Sequence, residues 1–163
     1  MKHRWWFVCL WLLWGSPAHA EITCEVSASS TAFGNYNPAA TQDVQVTGNI
    51  NVSCTRSGLL DLTPSISYTI ALSAGQSNNY TVRYMSYLSS HLNYDLYRNS
   101  ARTLIWGNGT GGSSTQAGTI NFPLLDLIST TQDQDHTVYG TLFKNQYVRP
   151  GAYTDSITVT VTY

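Results

Sequence analysis

Charge is scarce in this chain. Asp, Glu, Lys and Arg make up 10% of its 163 residues. Lys and Arg nowhere cluster into a basic patch, which argues against nucleic acid as a partner. Helical periodicity is missing as well: no stretch of ten or more positions keeps apolar residues at a 3.6-residue spacing. After Trp14 no further long apolar run occurs, so no membrane span is expected once the N-terminus is processed. His91 and His136 stand alone in polar surroundings and read as surface residues. Asp133 and Asp135 have the spacing of two calcium ligands, but the remaining ligands, including a downstream bidentate acid, are not there, and a solvated loop is the better reading. Gly107-x-Gly109-x-Gly111-Gly112 lacks the helix and the Lys-Ser/Thr pair that would complete a phosphate loop. With no nucleophile–base pair and no ligand set, neither an enzyme nor a bound cofactor is expected.

The N-terminus reads as an export signal. Lys2, His3 and Arg4 precede an apolar core from Trp5 to Trp14, and Ala18-His19-Ala20 is a small-residue cleavage pattern. Cleavage is expected after Ala20, leaving one domain over 21–163 that is secreted, through a periplasm where the cell has two membranes. Four of the five tryptophans leave with the signal, and only Trp106 remains. Eight basic residues become six against nine acidic ones, a net charge of −3. Ser, Thr, Asn and Tyr then dominate the surface, as in exported β-proteins. Cys9 also leaves, so Cys24 and Cys54 are expected to form a disulfide. A two-cysteine metal site is the rival, and it finds no further ligands nearby.

The chain is organised around its C-terminal run. Tyr153, Ile157, Val159, Val161 and Tyr163 share one parity, and Thr154, Ser156, Thr158, Thr160 and Thr162 share the other. That is the period-2 pattern of a half-buried strand, predicted here as unbroken from Tyr153 onward. Asp155 is the exception on the apolar face. Its place near the start of the strand would let it reach water or a turn amide. Ile22, Cys24 and Val26 mark a first strand. Val44 to Cys54 is one long strand, or two with a bulge at Gly48-Asn49. Further strands are expected at Ile66–Leu72, Tyr80–Leu88, Leu92–Leu96, Ile120–Leu124 and Thr137–Phe143. Polar loops are expected at Thr130–Asp135 and over Gly107–Gly118, the latter mobile by composition. Eight or so short strands make the fold class all-β, a sandwich.

Several segments together carry a family resemblance: Cys24, Phe33-Gly34-Asn35-Tyr36, Val52-Ser53-Cys54, Tyr68 through Gly75, Arg83 with Met85, Leu92 through Tyr97, Trp106-Gly107, Val138-Tyr139-Gly140, and Gly151-x-Tyr153-x-Asp155. They cover the mature chain in order. The chain resembles the spore coat protein U domain family, which is similar to the pilins of archaic chaperone–usher systems. The resemblance implies an immunoglobulin-like, incomplete, pilin-type β-sandwich whose last strand comes from another chain. A periplasmic chaperone first fills the groove, and the N-terminal extension of another pilin subunit then replaces it during assembly at an outer-membrane usher. The groove would be lined by Ile157, Val159, Val161 and Tyr163, opposite Ile22 and Val26. An apolar terminal strand with an open edge agrees with this on physical grounds.

Only Glu21, Ile22 and Thr23 would precede Cys24, roughly 10 Å of strand at about 3.3 Å per residue. The processed chain is therefore expected to accept a strand without donating one, at a fibre tip or as an accessory subunit at the cell surface, serving adhesion or biofilm formation. The competing expectation is a stand-alone secreted β-sandwich that binds glycan or surfaces through its tyrosines or the Gly107–Gly118 loop. The two differ at the C-terminal strand. An assembly subunit leaves one edge unpaired, and a self-complete sandwich pairs both.

Overall fold

The computed structural model describes residues 21–57, 63–123 and 129–163. The expected signal at 1–20, and Leu124, lie outside the described residues. The described residues form eight strands: β1 (Glu21–Ala28), β2 (Val44–Ser57), β3 (Ser65–Leu72), β4 (Arg83–Tyr87), β5 (Ser90–Tyr97), β6 (Gln116–Asn121), β7 (Thr130–Leu142) and β8 (Val159–Thr162). A 3-10 turn spans Gly75–Ser77. The strands form two sheets, a five-stranded one in the order β1-β2-β7-β5-β4 and a three-stranded one in the order β6-β3-β8. The fold is an all-β, pilin-type sandwich.

The pair β2–β7 is the spine. Its antiparallel register runs from Val44↔Leu142 to Arg56↔Thr130 without a slip, so β2 is a single strand and there is no bulge at Gly48. Glycine is placed there for another reason. A Cβ on Gly48 would lie 2.7 Å from Thr31 Oγ1, and one on Gly140, the partner of Val46, would lie 3.1 Å from Thr31 Cγ2. Both glycines let the segment that follows β1 lie close against the sheet. Ile50, Val52 and Cys54 then point into the core with Leu72, Leu96, Ile70, Val138 and Leu142.

The stretch Thr130–Asp135 is not a loop but the first half of β7. It carries no apolar residue on either face, so periodicity could not reveal it. Cross-strand polar bonds hold it instead. Thr55 and Thr131 hydroxyls lie 2.7 Å apart, and Asp135 Oδ1 accepts from Asn49 Nδ2 (2.8 Å) and Asn51 Nδ2 (2.9 Å). Those two amides hold the Asp135 carboxyl below its ordinary value. The Gly-rich stretch after Trp106 is also more organised than its composition suggested. Gly107 N donates to Ser114 O, Ser114 N to Ile105 O and Ser113 N to Thr110 O, each at 3.0 Å, before β6 begins at Gln116.

Cys24 and Cys54 face each other directly across β1 and β2 and are bonded, with Cα atoms 4.1 Å apart. The bridge closes a 30-residue separation and ties the outermost strand to the spine. In the chain-entropy account such a loop contributes about 3–4 kcal/mol. Replacing both cysteines by serine should lower the urea midpoint by the corresponding amount. A loss under about 1 kcal/mol would mean that β1 is held by its ladder alone.

His136 is buried on the inner side of β7, not on the surface as its sequence context suggested. Its Nε2 lies 2.7 Å from the Tyr68 hydroxyl, which also lies 2.6 Å from Gln134 Oε1. Burial lowers its pKa below the ordinary 6.5, with Asp135 opposing weakly. An unfolded chain therefore takes up the proton before the folded one. Stability is complete above about pH 6.5 and falls as pH drops through that value toward the folded pKa. Melting temperature should decline between pH 7.5 and 5.5, and His136→Gln should decline less. Parallel profiles for the two proteins would dismiss this assignment.

Candidate functional site

The alternation of the C-terminal run survives in three dimensions, but the run is not one strand. Tyr153, Asp155, Ile157, Val159 and Val161 are each half-buried, and the residues between them are exposed. Thr154, however, bridges Ser86 of β4 in the five-stranded sheet, with Ser86 N to Thr154 O at 3.0 Å and Thr154 N to Ser86 O at 3.2 Å. Five residues later Val159 pairs with Leu72 of β3 in the other sheet. The segment Asp155–Thr158 thus carries the chain from one sheet to the other, as strands do at the corners of sandwiches. Ladder pairing resumes as β8, from Leu72↔Val159 to Thr69↔Thr162.

β8 is the outer strand of its sheet. β3 lies on one side, and among the described residues no strand lies on the other. Its inward side chains, Val159 and Val161, are only half-buried although they pack on the core. A cavity of about 320 Å³ lies against Val159. Ile157 and Val159 form one wall, residues 28–31 with Phe33 form the other, and the floor is core: Ile50, Leu72, Leu96 and Val138. Those four floor residues are nearly inaccessible themselves, so the cleft ends on the hydrophobic centre of the domain. A second cleft of about 790 Å³ continues from it. The two share Thr31, Phe33, Met85 and Tyr153, and the second runs between residues 33–38 and 148–153.

The structure locates each expected groove residue. Ile157 and Val159 line the cavity, and Val161 follows on the same face. Tyr163 is exposed, and its hydroxyl accepts from Cys24 N at 3.4 Å. Ile22 packs against the core from β1, while Val26 is 40% exposed. β1 pairs with β2 and not with β8. The wall facing Ile157 is the stretch after β1, where the Phe33 ring meets Tyr94 at a tilt, with centroids 5.6 Å apart. The aromatics flanking Gly34-Asn35 were the available hint to this wall. Met85 and the core floor could be found only from the fold.

Of the residues that line the 320 Å³ cavity, Asp155 alone is charged. Asp155 Oδ1 accepts from Gln76 N (3.0 Å) and Ser156 N (2.8 Å), and Oδ2 accepts from the Tyr94 hydroxyl (2.7 Å). The expected turn amide is therefore Gln76, and Tyr94 is an added partner. Burial, then the bond to Asp155, pushes the Tyr94 hydroxyl far above its ordinary pKa, so it remains a donor. Among the described residues no group of three or more His, Cys, Asp or Glu is placed to hold a metal ion, and no helix is long and apolar enough to cross a membrane. The arrangement offers a half-open hydrophobic slot beside a free strand edge, which is geometry for taking up an extended chain.

The sequence matches the family model of the Spore Coat Protein U domain over residues 13–160. Protein U of Myxococcus xanthus is 29% identical over 138 residues, which cover 80% of this chain and 70% of that protein. The fold is similar to a chain in the crystal structure of the CsuC-CsuE chaperone-tip adhesion subunit pre-assembly complex from archaic chaperone-usher Csu pili of Acinetobacter baumannii. There the TM-score is 0.53 at 22% identity, over 88% of this chain and 40% of the matched one. At that identity the likeness is one of fold, and this chain spans less than half of its structural neighbour.

Proposed function

The chain belongs to the Spore Coat Protein U domain family, and from that premise we propose that it is an exported structural subunit of a surface pilus or coat, assembled by donor-strand complementation. The observation that carries this reading is the free edge of β8 beside a cleft floored by Ile50, Leu72, Leu96 and Val138. A strand laid there extends the three-stranded sheet and covers apolar surface that Ile157, Val159 and Val161 leave half-exposed. A periplasmic chaperone would occupy the slot first, and another subunit would occupy it after transfer at an outer-membrane usher. Residues 1–20 serve export. Cleavage after Ala20 leaves three residues before Cys24, which suits a strand acceptor at a tip or accessory position in adhesion or biofilm formation.

The test uses the exported protein and a labelled ten-residue peptide of alternating valine and threonine. Saturable binding is expected, and Ile157→Glu, which puts a charge in the slot, should weaken it at least tenfold. Absence of saturable binding, or binding indifferent to Ile157→Glu, overturns the proposal.

A further inference from the structure

Asp155 stands where the alternation calls for an apolar side chain, on the cleft-facing parity between Tyr153 and Ile157. A carboxylate at such a place loses hydration, and it persists only when its oxygens find donors. Here they find three, one from a strand, one from a turn and one from the crossing segment itself. Tyr94 belongs to β5 of the five-stranded sheet. Gln76 belongs to the 3-10 turn that follows β3 of the three-stranded sheet. The third, Ser156 N, is the next residue in the crossing segment itself. Gln76 adds a bond from Nε2 to Thr154 O at 2.9 Å, and its Oε1 accepts from Ser86 Oγ, which draws in β4.

The turn is shaped for this contact. Gly75 has φ +66°, a conformation that favours glycine, and a Cβ there would lie 2.1 Å from Asp155 Oδ2. Any other residue at 75 must displace the carboxylate. Two independent constraints, backbone conformation and space, therefore converge on the same contact.

We propose that Asp155 is a positioning residue for the strand-accepting cleft: with Gly75, Gln76 and Tyr94 it locks the start of the crossing segment Asp155–Thr158 to β5 and to the turn that joins the two sheets, so that the wall formed by Ile157 and Val159 is held in place before a strand arrives. This rests on the strand-accepting reading above. The physical need follows from the open edge. Among the described residues Asp155, Ser156 and Ile157 have no ladder partner, Ser73 N donates to Thr158 O at 2.9 Å, and β8 then pairs on one side only, so the backbone does little at Ile157 to stop the wall from closing over the cavity or splaying away. A side-chain tether to β5 and to the turn after β3 supplies that restraint, and a preformed slot spares the incoming strand part of the ordering entropy.

The experiment compares Asp155→Ala, Asp155→Asn and Gly75→Ala in the exported protein, with Ile120→Val as a control destabilised away from the cleft. Two readouts are taken: hydrogen exchange of the Thr158–Thr162 amides without peptide, and affinity for the valine–threonine peptide. Asp155→Ala and Gly75→Ala should speed exchange and weaken peptide binding, each about tenfold. Asp155→Asn keeps the shape, accepts from the two amides and donates to the Tyr94 oxygen, so it should stay within about threefold of the wild type. Ile120→Val should change neither readout by more than that. Exchange and affinity no different from the control overturn the lock, and so does an Asn variant as impaired as the Ala variant. Faster exchange in Asp155→Ala, with no peptide binding even in the wild type, upholds the lock and overturns the strand-accepting reading.

Discussion

A strand supplied in cis should raise the melting temperature of the exported protein by on the order of 20 °C. The fusion carries a short Gly/Ser linker after Tyr163, followed by ten residues of alternating valine and threonine that can return along the free edge of β8. Its apolar side chains would enter the cleft over Ile50, Leu72, Leu96 and Val138. Full burial of one such side chain is worth about 1.5–3 kcal/mol, and ordering the added strand offsets part of the total. A net gain of about 5 kcal/mol converts to roughly 15–20 °C for a chain of this size. Ile157→Asp in the fused protein should remove most of the gain. A fused protein that melts where the unfused one does would show that the edge beside β8 receives no strand.

Removing one member of the Arg83–Asp95 pair should cost about 3–5 kcal/mol, a large share of the 5–15 kcal/mol typical of a whole domain. This is the one ion pair among the described residues, with Arg83 Nη1 2.7 Å from Asp95 Oδ1 and both side chains inaccessible. The guanidinium also donates from Nε and Nη2 to Ser73 O, and from Nη2 to Trp106 O at 2.6 Å. It thereby joins the end of β3 to the residue before the Gly-rich loop. Burial pushes the Asp95 carboxyl above its ordinary value, while the Leu96 amide and Arg83 pull it back. In Asp95→Ala the guanidinium is left buried without a counter-charge. Arg83→Met strands the carboxylate instead. The double variant Arg83→Met with Asp95→Leu removes both charges and should cost much less than the sum of the singles. Urea midpoints of the four proteins give the cycle, and additive costs would mean that the pair acts as two independent residues.

How far the sequence reached is clearest at the two ends of the domain. At the C-terminus it identified every inward residue from Tyr153 to Val161 correctly, and it singled out Asp155 as the exception. It did not show that Thr154 pairs with β4 and Val159 with β3. Alternation reports which face a side chain takes, and a strand that changes sheets keeps its faces while changing its neighbours. At the N-terminus Cys24 and Cys54 could be paired by elimination, whereas the wall facing Ile157 could not be placed on the residues after Ala28. That placement depends on glycines at 48 and 140 making room on a neighbouring sheet.

By itself, then, the sequence determined the all-β class, a count of eight or so strands, the disulfide and the inner face of β2 and of the C-terminal run up to Val161. These follow from local chemistry: period-2 hydrophobicity, β-branched residues and two remaining cysteines. Only the tertiary structure decided that the polar stretch Thr130–Asp135 is strand, that His136 and the Arg83–Asp95 pair are interior, and that β8 pairs on one side only among the described residues, beside a cleft that reaches the core. Each of those depends on which distant backbone supplies the hydrogen-bond partner, and one-dimensional periodicity carries no information about partners.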